Sequence, residues 1–173
     1  MGNFKEDIAQ AEAFFFDVDG VFTDGSITPT TDNDFLRSYY AKDGYAFTYA
    51  VKRGYKIFII TGGRGELLAK RFGYLGASEI HINIGDKLAV MRDIIKRHGL
   101  SPEKCIFMGD DIPDVECMRE VGIPVCPADA VAEVVEASRY VSEYAGGRGC
   151  VRDIIEQVLR AQDKWAHDLK GVH

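Results

Sequence analysis

The stretch FFFDVDGVFTDG, residues 14–25, sets three aromatic residues directly ahead of two acids spaced i, i+2. Phe14, Phe15 and Phe16 read as the core of a buried strand, AFFFDV over 13–18, and Asp17 and Asp19 stand where that strand ends. Asp followed by Gly is ordinary turn chemistry after such a strand. The acids are therefore either loop caps or reactive groups, and what the rest of the chain sets beside them decides.

Further apolar runs alternate with helical patterns. YKIFII (55–60) and KCIFMG (104–109) read as strong strands, EIHINI (79–84) as a weaker one, GIPVCP (122–127) as a fourth strong one and RYVSE (139–143) as a short last one. Leu88, Met91, Ile95 and His98 step at helical spacing, with Gly99 as a stop, and so do Val151, Ile154, Ile155, Val158, Leu159 and Trp165. Strands alternating with helices predict an α/β fold: a doubly wound, mostly parallel sheet covered on both faces, in one domain over 1–173. The segment 26–44, SITPTTDNDFLRSYYAKDG, interrupts this pattern where the first crossover helix belongs. It reads as a small β-hairpin over about 26–40, with strands near 26–29 and 35–40 and a turn at Thr31 to Asp34.

Composition excludes several classes. The chain has 173 residues, 46% of them hydrophobic, with 21 basic and 27 acidic residues and a formal charge of -6. An acidic balance argues against nucleic acid as the main partner, since phosphate backbones require a basic footprint. No apolar run approaches the roughly 18 residues of a membrane span, and MGNFKEDIAQ lacks the layout of a secretory signal. Cys105, Cys117, Cys126 and Cys150 form no CxxC pair and read as reduced, buried thiols of a cytoplasmic protein.

In a doubly wound sheet ligands bind beyond the C-terminal strand ends. After the first strand come Asp17 and Asp19; after the second, Thr61 and Gly62 of TGGR; after the third, Asp110, Asp111 and Asp114 of GDDIPD; and Lys87 opens a helix in GDK. Taken singly, each is a common turn or helix-start residue. Gathered on one edge, they place several carboxylates with one hydroxyl and one ammonium. Clustered carboxylates raise one another's pKa, and a hard divalent cation such as Mg2+ relieves the conflict while binding a substrate phosphate. A threonine and the amides of a Gly-rich turn suit phosphate oxygens, and Lys87 suits the remaining charge.

DVDGVFTDG, ITGGR, GDK and MGDDIPD together resemble the four motifs of haloacid dehalogenase-type phosphatases. KDGYAFTYAVKRG (42–54), VGIPVCPADA (121–130) and YAGGRGCVRDIIEQVLRAQDKW (144–165) further resemble the 3-deoxy-D-manno-octulosonate 8-phosphate phosphatase family, across about residues 12 to 165. That resemblance implies Asp17 as nucleophile and Asp19 as general acid and base. It implies Thr61, Gly62 and Lys87 on the phosphoryl group, magnesium on Asp17, Asp110 and the main-chain carbonyl of Asp19, and Asp111 and Asp114 around them, orienting the metal's waters or Lys87. It further assigns substrate contacts to Thr23, Asp24, Asp43, Gly44 and Arg64, and a sugar carboxylate to Arg148, in the site of its own or a neighbouring subunit. It implies a homotetramer joined through the 26–40 hairpins, a small phosphorylated sugar acid as substrate, and a place in making a bacterial surface sugar.

Two departures from the family pattern stand out. Gly63 is interposed in what is usually TGR, and Asn83-Ile84-Gly85-Asp86 replaces a Gln-Gly pair ahead of Lys87. Both bear on the sugar end, so nine-carbon 2-keto-3-deoxy sugar acid 9-phosphates stand as alternative substrates. A phosphotransferase of the same superfamily would require a larger cap. A phospho-accepting receiver domain would carry its acidic pair first in the chain, whereas here GDD comes last.

Overall fold

The computed structural model describes residues 3–166. The helices are α1 (Phe4–Ile8), α2 (Ala41–Lys52), α3 (Glu66–Leu75), α4 (Lys87–His98), α5 (Val115–Glu120), α6 (Ala132–Ala137) and α7 (Cys150–Ala161). The strands are β1 (Ala13–Phe16), β2 (Thr28–Pro29), β3 (Phe35–Leu36), β4 (Lys56–Ile60), β5 (Glu79–His81), β6 (Cys105–Met108), β7 (Ile123–Cys126) and β8 (Tyr140–Val141).

Six strands form one sheet in the order β5-β4-β1-β6-β7-β8, and every pairing in it is parallel. From β1 the chain winds outward through β4 and β5, then returns to β6 on the other side of β1. The strand order therefore reverses at β1, and a crevice opens beyond its C-terminal end. Phe16, the last residue of β1, lies level with Ile59 and Met108, and the Asp17 amide donates to Met108 O at 3.1 Å. Asp17 thus takes the last sheet hydrogen bond at the switch point.

The aromatic run serves both layers of the core. Phe14 and Phe16 join the apolar cluster under α1, α2, α3 and α7, while Phe15 joins the one under α4, α5 and α6. That is the period-two alternation of a strand. Phe14 stacks on Phe16 at 5.9 Å and Phe15 on Phe58 at 4.8 Å. All three are fully buried, each contributing about 1.5–3 kcal/mol of transfer free energy. The strand carrying Asp17 is consequently anchored from both faces.

The predicted helix over 88–98 is α4, begun by the Asp86 side chain accepting from Ala89 N at 2.9 Å and ended by Gly99 at φ 62. The C-terminal helix is shorter than its periodicity suggested. It ends at Ala161, and Trp165 packs past the helix end on Tyr49 at 4.8 Å. The segment 26–44 does contain a hairpin, β2 with β3, closed by Thr30 N to Asp34 O at 2.9 Å, with Asn33 at φ 58. Its strands are two residues each rather than four to six. The crossover helix is delayed, not displaced: α2 begins at Ala41, because residues 37–40 leave the hairpin to reach the sheet's flank. EIHINI pairs only over Glu79–His81 and RYVSE only over Tyr140–Val141. No helix among the described residues is long and apolar enough to cross a membrane.

Candidate active site

The end of β1, the turn after β4, the start of α4 and the loop after β6 converge on one cleft of about 390 Å³ lined by Asp17, Asp19, Thr61, Lys87, Asp110 and Asp114, among others. Lys87 is the first residue of α4, and its buried ammonium lies 3.1 Å from Asp17 Oδ1 and 2.7 Å from Asp114 Oδ1. The other Asp114 oxygen accepts from the amides of Asp110 and Asp111 at 3.1 and 3.4 Å. Asp111 caps the 3-10 turn Ile112–Asp114 through Ile112 N at 2.7 Å. A Cβ on Gly109 would stand 2.3 Å from Asp114 Cβ, so only glycine lets this loop fold back on itself. Thr61 is buried, with its hydroxyl accepting from Gly63 N at 3.0 Å.

Burial and the neighbouring acids set the electrostatics. Burial first, and Asp114 next, lift Asp17 to about 6 against the pull of Lys87. Burial, then Asp17 and Asp114, lift Asp110 to about 8. Burial opposes the Lys87 charge, but Asp17 and Asp114 outweigh it and raise its pKa. One ammonium stands among three carboxyl groups, those of Asp17 and Asp114 buried and that of Asp110 half-buried. Asp17, Asp110 and Asp114 each offer an oxygen within 4.8 Å of the others. Asp114 is already committed to Lys87 and the loop amides, and Asp110 Oδ1 is buried with no hydrogen-bond partner among the described residues. An orphaned carboxylate oxygen beside a second buried carboxylate fits a small hard cation.

The hairpin closes one side of this cleft. Arg37, just past β3, forks onto Asp19 with Nε to Oδ1 at 2.7 Å and Nη2 to Oδ2 at 3.1 Å. Its Nη1 donates to Arg64 O at 3.2 Å. Asp34 Oδ2 accepts from Leu67 N at 3.1 Å and so caps α3 from the hairpin tip. A second cleft, of about 420 Å³, shares Asp19, Gly62 and Gly63 with the first and adds Arg37, Arg64 and Asn83. Sequence reading missed Arg37; an arginine in a short hairpin carries no local mark of its partner 18 residues earlier.

The profile of the haloacid dehalogenase-like hydrolase family matches residues 72–154. The chain is 34% identical over 160 residues to the 3-deoxy-D-manno-octulosonate 8-phosphate phosphatase KdsC of Escherichia coli (strain K12), covering 91% of this chain and 85% of that protein. It belongs to the 3-deoxy-D-manno-octulosonate 8-phosphate phosphatase family. The crystal structure of the phosphatase of that name from Yersinia pestis matches with a TM-score of 0.91 at 32% identity, over 95% of this chain and 89% of that one. The one from Moraxella catarrhalis, in complex with magnesium ion, phosphate ion and a KDO molecule, matches with a TM-score of 0.89 at 28% identity, over 94% and 93%.

Against that family pattern, the remaining expected site residues fall into three places. Arg64 lines the second cleft, beside Phe35 at 5.4 Å from its ring centre. Thr23 and Asp24 shape the turn after Asp19: buried Thr23 accepts from Gly20 N and Gly25 N at 3.3 and 3.1 Å, and exposed Asp24 accepts from Ser26 N at 2.9 Å. Asp43, Gly44 and Arg148 do not line the cleft of Asp17, Asp19 and Asp110. Asp43 is buried in the first turn of α2, facing the start of α7 and accepting from Arg152 N at 2.8 Å, and burial lifts its pKa to about 6. Gly44 packs against Arg71. Arg148 lines a separate cleft of about 330 Å³ with Tyr40, Tyr144 and Arg152. The glycines ahead of Arg148 have a packing role. A Cβ on Gly146 would stand 1.9 Å from Gly20 O, and one on Gly147 2.6 Å from Thr23 C. The two glycines let the C-terminal loop press against the turn that carries Asp19.

Proposed function

We propose that this chain is a magnesium-dependent phosphatase that hydrolyses 3-deoxy-D-manno-octulosonate 8-phosphate through an aspartyl-phosphate on Asp17. The observation that carries the reading is the Lys87 ammonium shared between buried Asp17 and Asp114, with the unpartnered Asp110 oxygen beside them. That arrangement asks for a cation and an anion together, and a metal with a phosphate satisfies both.

Asp17, Asp110 and the main-chain carbonyl of Asp19 would hold the magnesium, which when bound neutralises charge on the phosphoryl oxygens. The Asp17 carboxylate oxygen attacks phosphorus; the P–O bond to the sugar breaks, and Asp19 gives the departing alkoxide a proton. Asp19 then takes a proton from water as the water oxygen attacks phosphorus, the Asp17–P bond breaks, and phosphate leaves. Thr61, the Gly62 amide and Lys87 hold the phosphoryl oxygens throughout. Asp114 keeps Lys87 in place, and Asp111 holds the loop.

The second cleft takes the sugar acid. Gly63 and Asn83, where the chain departs from the family pattern, line it, and this favours a second reading in which the sugar acid has nine carbons. A homotetramer joined by hairpins is supported by the exposure of Ile27 and Leu36 on the hairpin, 47% and 55%, and would allow Arg148 to serve a neighbour's site. Four free, buried thiols accord with a cytoplasmic enzyme.

Acid quench during turnover tests the mechanism. Wild type should yield a small fraction of protein phosphorylated on Asp17. Asp19→Asn should slow phosphate release by about 100-fold or more, with phosphoprotein accumulating when the leaving group is a good one such as p-nitrophenol. Asp17→Asn should give neither phosphoprotein nor phosphate. Phosphate release from Asp17→Asn at the wild-type rate would refute the covalent route.

A further inference from the structure

We propose that Arg37 is a latch on Asp19 which the carboxylate of the substrate releases, making the hairpin the element that selects phosphorylated sugar acids over neutral sugar phosphates. The inference rests on the phosphatase reading and names the selectivity of that same site.

Three observations carry it. First, both Asp19 oxygens are engaged by one guanidinium, at 2.7 and 3.1 Å. A charge-assisted fork of this kind fixes a carboxyl group in one orientation, and here the orientation is toward the hairpin. Second, the adjoining turn is cut to fit the fork. A Cβ on Gly63 would stand 2.7 Å from Asp19 Oδ2 and 3.0 Å from Arg37 Nη2. The interposed glycine therefore has a function: it leaves room for the latched pair. Third, the latch lies in the cleft that continues the phosphate site. Arg37 and Arg64 flank the Phe35 ring at 5.8 and 5.4 Å, and the lining holds these two guanidiniums against one carboxylate, Asp19. An incoming carboxylate meets two cations and can exchange with Asp19 for the Arg37 fork, because the two are chemically the same partner. Asp19, freed of the guanidinium, takes up a proton from solvent and turns to the leaving oxygen. A neutral sugar phosphate has nothing to offer Arg37, and Asp19 stays held.

The test compares magnesium-loaded wild type, Arg37→Ala and Arg37→Lys on 3-deoxy-D-manno-octulosonate 8-phosphate and on ribose 5-phosphate, which has no carboxylate. Arg37→Ala should lower kcat/KM for the acid about 100-fold, the size expected for hydrogen bonds between charged groups, and raise kcat for ribose 5-phosphate severalfold. Arg37→Lys, which has no fork, should fall between. Methylguanidinium added to Arg37→Ala should restore the acid substrate. Calorimetric titration with free 3-deoxy-D-manno-octulosonate should show weaker binding to Arg37→Ala. An equal loss on both substrates, or no change on either, would overturn the latch and leave the phosphatase reading standing. If wild type released no phosphate from either substrate, nor from 2-keto-3-deoxy-nonulosonate 9-phosphate, the phosphatase reading would fall and the latch with it.

Discussion

The Lys87 ammonium lies 2.7 Å from Asp114 Oδ1, while the second oxygen of Asp114 accepts from the Asp110 amide at 3.1 Å. One carboxylate thus ties the buried ammonium to the loop of a candidate metal ligand. Removing one partner of a buried pair strands the other, typically at about 3–5 kcal/mol. Asp114→Ala should lose stability in that range by urea unfolding and lower kcat by about 100-fold. Asp114→Asn, which keeps a carbonyl oxygen for Lys87, should lose less of both.

The acidic cluster makes stability depend on pH in a direction that can be worked out. Asp17 at about 6 and Asp110 at about 8 both lie above the ordinary carboxylate value, so the folded state holds protons that the unfolded chain has released. Without metal, stability is then greatest near pH 4 and falls as pH rises to about 8. Glu79 acts in the opposite sense. Arg97 above all, with His98 and His81, holds it below its usual range despite opposing burial, and its contribution is lost only as pH falls below about 4.5. Thermal melts in EDTA should show Tm falling by roughly 5 °C or more between pH 5 and pH 8. Magnesium should reverse the trend and release protons on binding. A metal-free Tm that rises across that window would contradict the assignment.

The glycines separate two kinds of cost. Gly146→Ala drives a Cβ into the carbonyl of Gly20, and overpacking against backbone should cost about 3 kcal/mol and misplace the turn bearing Asp19. Gly73, exposed inside α3, meets nothing closer than 4.0 Å. Gly73→Ala should stabilise by about 0.5–1 kcal/mol through helix propensity and leave kcat unchanged. Urea unfolding with steady-state kinetics on both variants checks the contrast.

Hairpin exposure predicts self-association. Leu36→Glu places a charge on the most exposed apolar residue of the hairpin. By light scattering, the variant should shift from a tetramer toward smaller species, with kcat/KM reduced more than the melting temperature if neighbours complete the site. An unchanged mass would remove the hairpin from the interface.

The gathering of the candidate residues on one edge was legible because its cues are local. Each of Asp17, Thr61, Lys87 and Asp110 follows an apolar run or opens a helix, and a parallel sheet then gathers those ends without further information. What stayed hidden was tertiary. Arg37 reaches Asp19 only because the hairpin folds back, and the short β2 and β3 do not announce that. Asp43 and Gly44 fall at the start of α2, but their surroundings come from α7 and α3, more than 25 residues away along the chain. The Gly146 and Gly147 contacts with the first turn likewise join opposite ends of the chain. Trp165 continued the helical period, yet Tyr49 drew it onto the α2 face beyond the helix end.

The most direct test is phosphate release by the wild-type protein from 3-deoxy-D-manno-octulosonate 8-phosphate and 2-keto-3-deoxy-nonulosonate 9-phosphate, each with magnesium and with EDTA. The account predicts release that requires magnesium and is faster for the eight-carbon substrate. Faster release from the nine-carbon acid would keep the chemistry and reassign the substrate. No magnesium-dependent release from either would contradict the account at its centre.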